Sequence, residues 1–399
     1  MARLVGTTVR GLRGPIIHQG DDLVDILTHV VQDASEAEGY AINDRDILTI
    51  TESVVARAQG NYASLDAIAQ DVQAKFASSH IGIVFPILSR NRFQQLLKGL
   101  ARGVDKVTIQ LSYPSDEVGN HLISLDNLDE KNVNPWQDVL TEAEFREAFG
   151  DIRHTFTGVD YVKLYQDVCA EENCACEIIF SNKAESILDY TKDVLVASIH
   201  SRKRDERIIK EAGGEKVLGL DDLMTASIAG SGFNSEYGLL GSNMATDESV
   251  KLFPENCTEF VQAIQERVKE ATGKTIEVMV YGDGAFKDPQ GKIWELADPI
   301  VCPGHTAGLA GTPNEIKLKY LADNDFADLS GEALEAKMQE YIKNREVHED
   351  NKNEKTSLGT TPRQITDLLG SLSDLTSGSG DKGTPFVYIQ GYFDNYANN

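Results

Sequence analysis

A mixed α/β fold of more than one compact unit is predicted by three features of the sequence. Short apolar, β-branched runs alternate with stretches whose apolar residues recur at helical spacing, the pattern of strands packed under helices. At 399 residues the chain is about twice a typical single-domain length. Hydrophobic residues make up 41% of it, enough for a real core in each unit. Residues up to about 76 read as one α/β unit, 81 to about 223 as a separate α/β lobe, and the chain after 311 as helical and charged.

Taken in order, Pro15-Ile16-Ile17-His18-Gln19-Gly20 predicts a strand running into a turn. Asp21 and Asp22 supply N-cap and first-turn carboxylates for a helix over 23–34. Residues 46–50 form a buried strand whose end delivers Thr51, Glu52 and Ser53, followed by a helix over 54–59 with Arg57 one turn on. Hydroxyls, a carboxylate and an arginine thus leave one strand end together, where an open α/β sheet binds anions. Through the lobe, strands at 81–85, 107–111, 176–180 and 194–199 alternate with helices at 93–101 and 183–190, which predicts a largely parallel sheet. His200-Ser201-Arg202-Lys203-Arg204 is the densest basic cluster, either a docking point for phosphate or an acidic tail, or a solvated helix start.

Further on, 278–286 reads as a strand leading into Gly282-Asp283-Gly284, which suits an Asp-Gly turn between two strands. Residues 331–346 form an amphipathic helix with Leu334, Met338 and Ile342 at four-residue spacing. The polar run 347–357 is a linker, 358–375 a helix, 376–383 a Gly/Ser-rich loop and 386–389 the last strand. In that loop Gly378, Gly380 and Gly383 let backbone amides approach a phosphate beside Asp381 and Lys382.

A formal net charge of −25 argues against a nucleic-acid backbone or an anionic membrane as partner, since both need clustered Lys and Arg. No apolar run is long enough to cross a bilayer and no signal core opens the chain, so a soluble cytoplasmic protein is expected. Five cysteines do not make a disulfide framework. Cys169, Cys174 and Cys176 cluster without the Cys-x-x-Cys spacing of a zinc knuckle and read as reduced thiols. Cys302 and His305 would suit a thiol nucleophile, or simply a Pro-Gly turn after a strand.

Four stretches carry a family resemblance in one order. They are Pro15-Ile16-Ile17 with Gly20-Asp21-Asp22-Leu23; Leu48-Thr49-Ile50-Thr51 through Ala58-Gln59-Gly60; Asn234-Ser235 and Gly238 to Asn243 with Leu252-Phe253-Pro254-Glu255; and Gly378-Ser379-Gly380-Asp381-Lys382-Gly383 with the strand after it. Together they resemble the coenzyme F-420-0:L-glutamate ligase family, which adds glutamate to a deazaflavin coenzyme using GTP and forms intertwined dimers.

The resemblance implies a family-like ligase core built from both chain ends, 1–78, 224–312 and 358–399, with an inserted α/β lobe 79–223 and a charged helical segment 313–357, and with GTP as co-substrate, Mg2+ or Mn2+, L-glutamate, a carboxylate-bearing small-molecule acceptor and a homodimer. It implies an acyl phosphate formed from the nucleotide, which the incoming amine attacks. Nucleotide contacts fall on Pro15, Ile16, Glu52, Ser53, Arg57, Asn243, Gly378, Ser379, Gly380, Asp381 and Gly383, with Arg57 and Lys382 in catalytic roles. Metal ligands fall on Asp283 and, with Leu240 standing where the family has a metal-binding Asp, on Glu236 and Glu52. Ser379 stands where the family has a second-metal Gln, and Gly284 where it has a hydroxyl residue. The alternatives are a non-catalytic ligand-binding or regulatory relative, a ligase for a folate-like acceptor, and a thiol-dependent acyl transferase or hydrolase built on Cys302 and His305.

Overall fold

In the computed structural model the described residues are 4–150, 152–154, 157–282, 285–287, 294–296, 301–313, 315–345, 354–357, 363–377, 381–395 and 397. Strands from near both chain ends share one five-stranded sheet, in the order Thr8–Leu12, Phe386–Gln390, Ile47–Thr51, Glu277–Gly282, Val301–His305. The Ile47 strand runs antiparallel to Phe386–Gln390 and parallel to Glu277–Gly282. Residues 47–50 are buried because both faces of the strand are covered. Leu48 and Ile50 meet Leu27 and Val31 of the helix Leu23–Glu38 and Val261 and Ile264 of the helix Cys257–Thr272. On the other face Ile47 packs with Leu369 of the helix Ile365–Thr376, where Thr49 donates a buried hydrogen bond to Ser373 at 2.8 Å.

The Leu23 helix forms as its sequence predicts. Asp22 caps it by accepting the Asp25 N–H at 3.1 Å, Leu23, Leu27 and Val31 line the buried stripe, and Gly39 closes it in the left-handed conformation. The expected strand at 15–20 is not one; the edge strand is Thr8–Leu12 and residues 13–18 are irregular. Pro15 has no N–H for a ladder, and the segment is tied instead by single bonds from Gly14 N to Gly383 O and Gly20 N to Ala58 O. Ile16 is left 76% exposed while Ile17 is buried.

The second large sheet has six strands in the order Leu140–Thr141, Ala175–Phe180, Lys106–Leu111, His80–Val84, Asp193–Val196, Lys216–Gly219. Every pairing is parallel except that of the short Leu140 strand, in line with the alternation read from the sequence. Helices Leu65–Lys75, Phe93–Arg102 and Tyr161–Glu171 contribute to the core on one face. On the other lie Arg202–Glu211 and Ala184–Asp189, the latter a 3-10 turn in place of the expected helix at 183–190. The Asp193 strand stops at Val196, short of the expected Ile199, because the Ile199 and His200 amides turn away to the Glu117 carboxylate.

A three-stranded antiparallel sheet, Asn243–Thr246, Ser249–Lys251 and Tyr62–Ser64, bridges the two larger ones. The expected helix at 331–346 spans Gly331–Asn344, with Met338 buried. Of the expected helix at 358–375, residues 358–362 lie outside the described residues and the rest starts at Ile365. Most of the expected linker 347–357 is likewise outside them, and 354–357 forms a turn. No helix among the described residues is long and apolar enough to cross a membrane.

Candidate active site

The Ile47 strand passes directly into the helix Glu52–Gln59, with Thr51 extended at the junction and its N–H donated to Pro385 O at 3.3 Å. Ser53 and Arg57 are four residues apart and therefore share a helix face. That face borders an open cleft of about 510 Å3, lined by Ser53, Arg57, His18, Gln19, Asn243 and Lys251 among others, with no carboxylate among the described lining residues. Gly60 closes the helix at φ +68°, and a Cβ there would lie 2.2 Å from the Gln19 amide nitrogen. Glycine is thus required both by its backbone conformation and by the approach of Gln19.

Beneath the cleft, the Lys251 ammonium donates to both oxygens of Glu52, at 2.7 and 2.8 Å, with only 7% and 10% of the two side chains exposed. The end of the Glu277 strand presses on the same carboxylate: a Cβ at Gly282 would lie 2.7 Å from the Glu52 Cγ. The pair is neutral within itself, so the positive charge that the cleft wall offers to phosphate oxygens is the Arg57 guanidinium.

The loop carrying Asn243 is built on two buried asparagines. Asn234 donates to Phe253 O at 3.1 Å and Pro254 O at 3.2 Å, and accepts from the Glu236 and Tyr237 amides at 3.0 and 2.6 Å. Asn61 donates to Phe233 O and Phe253 O and accepts from Phe233 N. Gly241 follows at φ +73°, where a Cβ would lie 2.0 Å from the Phe253 ring. The chain therefore reaches Asn243 along a path with no freedom to shift.

A family model described as F420-0:Gamma-glutamyl ligase matches residues 11–391, running through both large sheets. The chain belongs to the F420-0:gamma-glutamyl ligase family. It is by that membership one of a family of ligases that form gamma-glutamyl amide bonds. No curated protein matches it.

In this gamma-glutamyl ligase family member, Ser53, Arg57 and Asn243 come together in one cleft from distant parts of the chain. Glu52 lies directly below them, its charge taken up by Lys251, so it does not stand as an unpaired repulsive carboxylate. Pro15 and Ile16 are exposed and do not line the cleft. Asp381 and Lys382 are exposed in a turn also outside the lining, while Gly383, at φ +62°, accepts from Gly14 N. Asp283, Gly284, Gly378, Ser379 and Gly380 lie outside the described residues. Glu236 is exposed. Among the described residues, the acidic, His and Cys side chains that converge closely enough to hold a metal are Glu206, Asp221 and Asp222 in the six-stranded sheet's unit. Glu52 and Glu236 are not drawn into such a group, so the described residues do not by themselves assemble a metal set.

Lys251 escaped the sequence reading. Its signal was a lysine enclosed by Val250 and Leu252, both fully buried, at a place where a long cation needs a partner. The basic cluster at 200–204 is consumed locally: Arg202 and Lys203 pair with Asp221 at 2.9 Å, and Arg204 with Asp205 at 3.2 Å. Burial pushes the Cys302 thiol up to about 12, its Sγ donates to Gly304 O, and the His305 ring bonds to Thr306 O. Neither a thiolate nor a Cys–His pair is prepared there. The hydrogen bonds that the Cys169 thiol donates to Cys174 and Cys176, together with burial, keep it protonated, and all three are free cysteines.

Proposed function

We propose that the chain is a GTP-dependent, divalent-metal-dependent gamma-glutamyl ligase that forms its amide bond through an acyl phosphate. What supports the reading is the convergence of Ser53, Arg57, Asn243 and the buried Lys251 on one cleft with no carboxylate among its described lining residues, in a chain with 63 acidic and 38 basic residues. In this reading an acceptor carboxylate oxygen attacks the terminal phosphorus, the bond to the nucleoside diphosphate breaks, and the glutamate amine then displaces phosphate from the acyl carbon. Arg57 holds the phosphate oxygens in line and offsets their charge, while Lys251 borders the cleft paired with Glu52; Asn243 and Ser53 orient the nucleotide by hydrogen bonds. The acceptor is a small molecule bearing a carboxylate, of the deazaflavin kind or a folate-like one.

The metal dependence rests on Asp283, and Glu52 joins a metal only by exchanging Lys251 for it. A second reading, a ligand-binding relative without catalysis, is favoured by the exposure of Glu236 and by the Lys251 pairing of Glu52. Calorimetric titration with GTP, GDP and ATP, with and without Mg2+ or Mn2+, separates the two. The ligase reading expects metal-dependent GTP binding that Asp283→Ala abolishes and Arg57→Ala weakens by at least about tenfold. Absence of binding by every nucleotide would sink it and leave the non-catalytic relative.

A further inference from the structure

The six-stranded sheet has its own ligand geometry. Along the chain, strands are added to one side of His80–Val84, by Lys106–Leu111 and then Ala175–Phe180, before the chain returns to its other side with Asp193–Val196. Open α/β sheets bind ligands outside the carboxyl ends of the strands at such a reversal. A cleft of about 710 Å3 lies there, walled by the loops that follow the His80, Lys106 and Asp193 strands. Its lining includes Arg90, Arg92, Asn120, His154 and Tyr161, with no carboxylate among the described lining residues.

This cleft is built, not incidental. Buried Asp116 clasps two of its loops, accepting from Leu88 N at 2.8 Å, Val118 N at 3.1 Å and both the backbone and side-chain nitrogens of Asn120. His154 lies 3.2 Å from Asn120 Oδ1 through Nε2 and accepts the Thr157 N–H at Nδ1, which makes it a neutral positioning group; the cations here are the arginines. Phe85, the first residue after the His80 strand, stands at φ +54°, a strained position for an aromatic residue. On the third loop the Ile199 and His200 amides already hold an anion, the protein's own Glu117 carboxylate. Met244 lines both this cleft and the core cleft, and its N–H is bonded to Asn91 O at 2.8 Å, so the two are neighbours.

We propose that the Arg90–Arg92 cleft binds the anionic end, phosphate or carboxylate, of the acceptor substrate while the nucleotide occupies the core cleft across Met244. The identity of that ligand as the acceptor rests on the ligase reading; the anion site does not. Inorganic phosphate, glutarate and GTP are titrated calorimetrically into the full chain and into the R90A/R92A, R90K/R92K and R57A variants, each checked for its circular dichroism. The expected result is that R90A/R92A weakens phosphate or glutarate by at least about tenfold while GTP binding stays as in the wild type, and that the lysine pair restores part of the loss. R57A is expected to do the reverse. Preference for phosphate identifies a phosphate-bearing end, and preference for glutarate a carboxylate one. Wild-type affinity for both probes in R90A/R92A, or no binding of either probe by the wild type, would overturn the proposal. If GTP binds no variant and R90A/R92A still loses the probe, the anion site stands and its assignment to an acceptor falls with the ligase reading.

Discussion

Lys251 and Glu52 show how one residue pair ties stability to the cleft. Both are nearly buried and each neutralises the other, so truncating one leaves the other's charge largely buried without this counter-ion. Lys251→Ala is expected to cost about 3–5 kcal/mol in urea unfolding, whereas Lys251→Met combined with Glu52→Leu recovers most of that loss, because an apolar pair of similar volume leaves no buried charge. A double variant as unstable as the single one would mean that packing, not charge, sets the cost. Lysine at 251 was visible in the sequence as an oddity among apolar neighbours, but its partner, 199 positions earlier, was not.

At the scale of elements, local pattern and tertiary demand agree for the Leu23–Glu38 helix and the Ile47–Thr51 strand, whose caps and apolar spacing are complete within the segment. They part at Pro15–Gly20, where apolar residues suggested a strand and the missing proline N–H left nothing to pair. The loop 234–243 belongs to a third kind, held by hydrogen bonds from a side chain. Asn234 alone satisfies two carbonyls and two amides of that loop and its neighbour. Asn234→Ala should therefore cost about 2–4 kcal/mol, by leaving buried polar groups unpaired, and should release Asn243 from the cleft. Thermal unfolding together with GTP titration checks this: a loss of affinity much larger than the loss of stability predicts would confirm that the loop positions the ligand, and unchanged affinity would show that it does not.

For the molecule as a whole, the core sheet needs both chain ends. Phe386–Gln390 is an interior strand, with Thr8–Leu12 on one side and Ile47–Thr51 on the other, and all five of its residues are buried. A chain ending at residue 384 is expected to lose the core sheet, read by rapid limited proteolysis, and to lose GTP binding with it; protection equal to that of the full chain would contradict this topology. The sequence by itself determined the mixed α/β class, the parallel character of the second large sheet, and the hydroxyl and arginine at the end of the Ile47 strand. Each is written in the spacing of residues close along the chain, where periodicity of two or of three to four acts. Only the tertiary structure decided that Asn243 and Lys251 stand beside Arg57, that Glu52 is neutralised, and that Arg90 and Arg92 open on a neighbouring cleft. Those facts depend on which strands lie side by side, and strand pairing is fixed by the burial of whole faces, which no local spacing records.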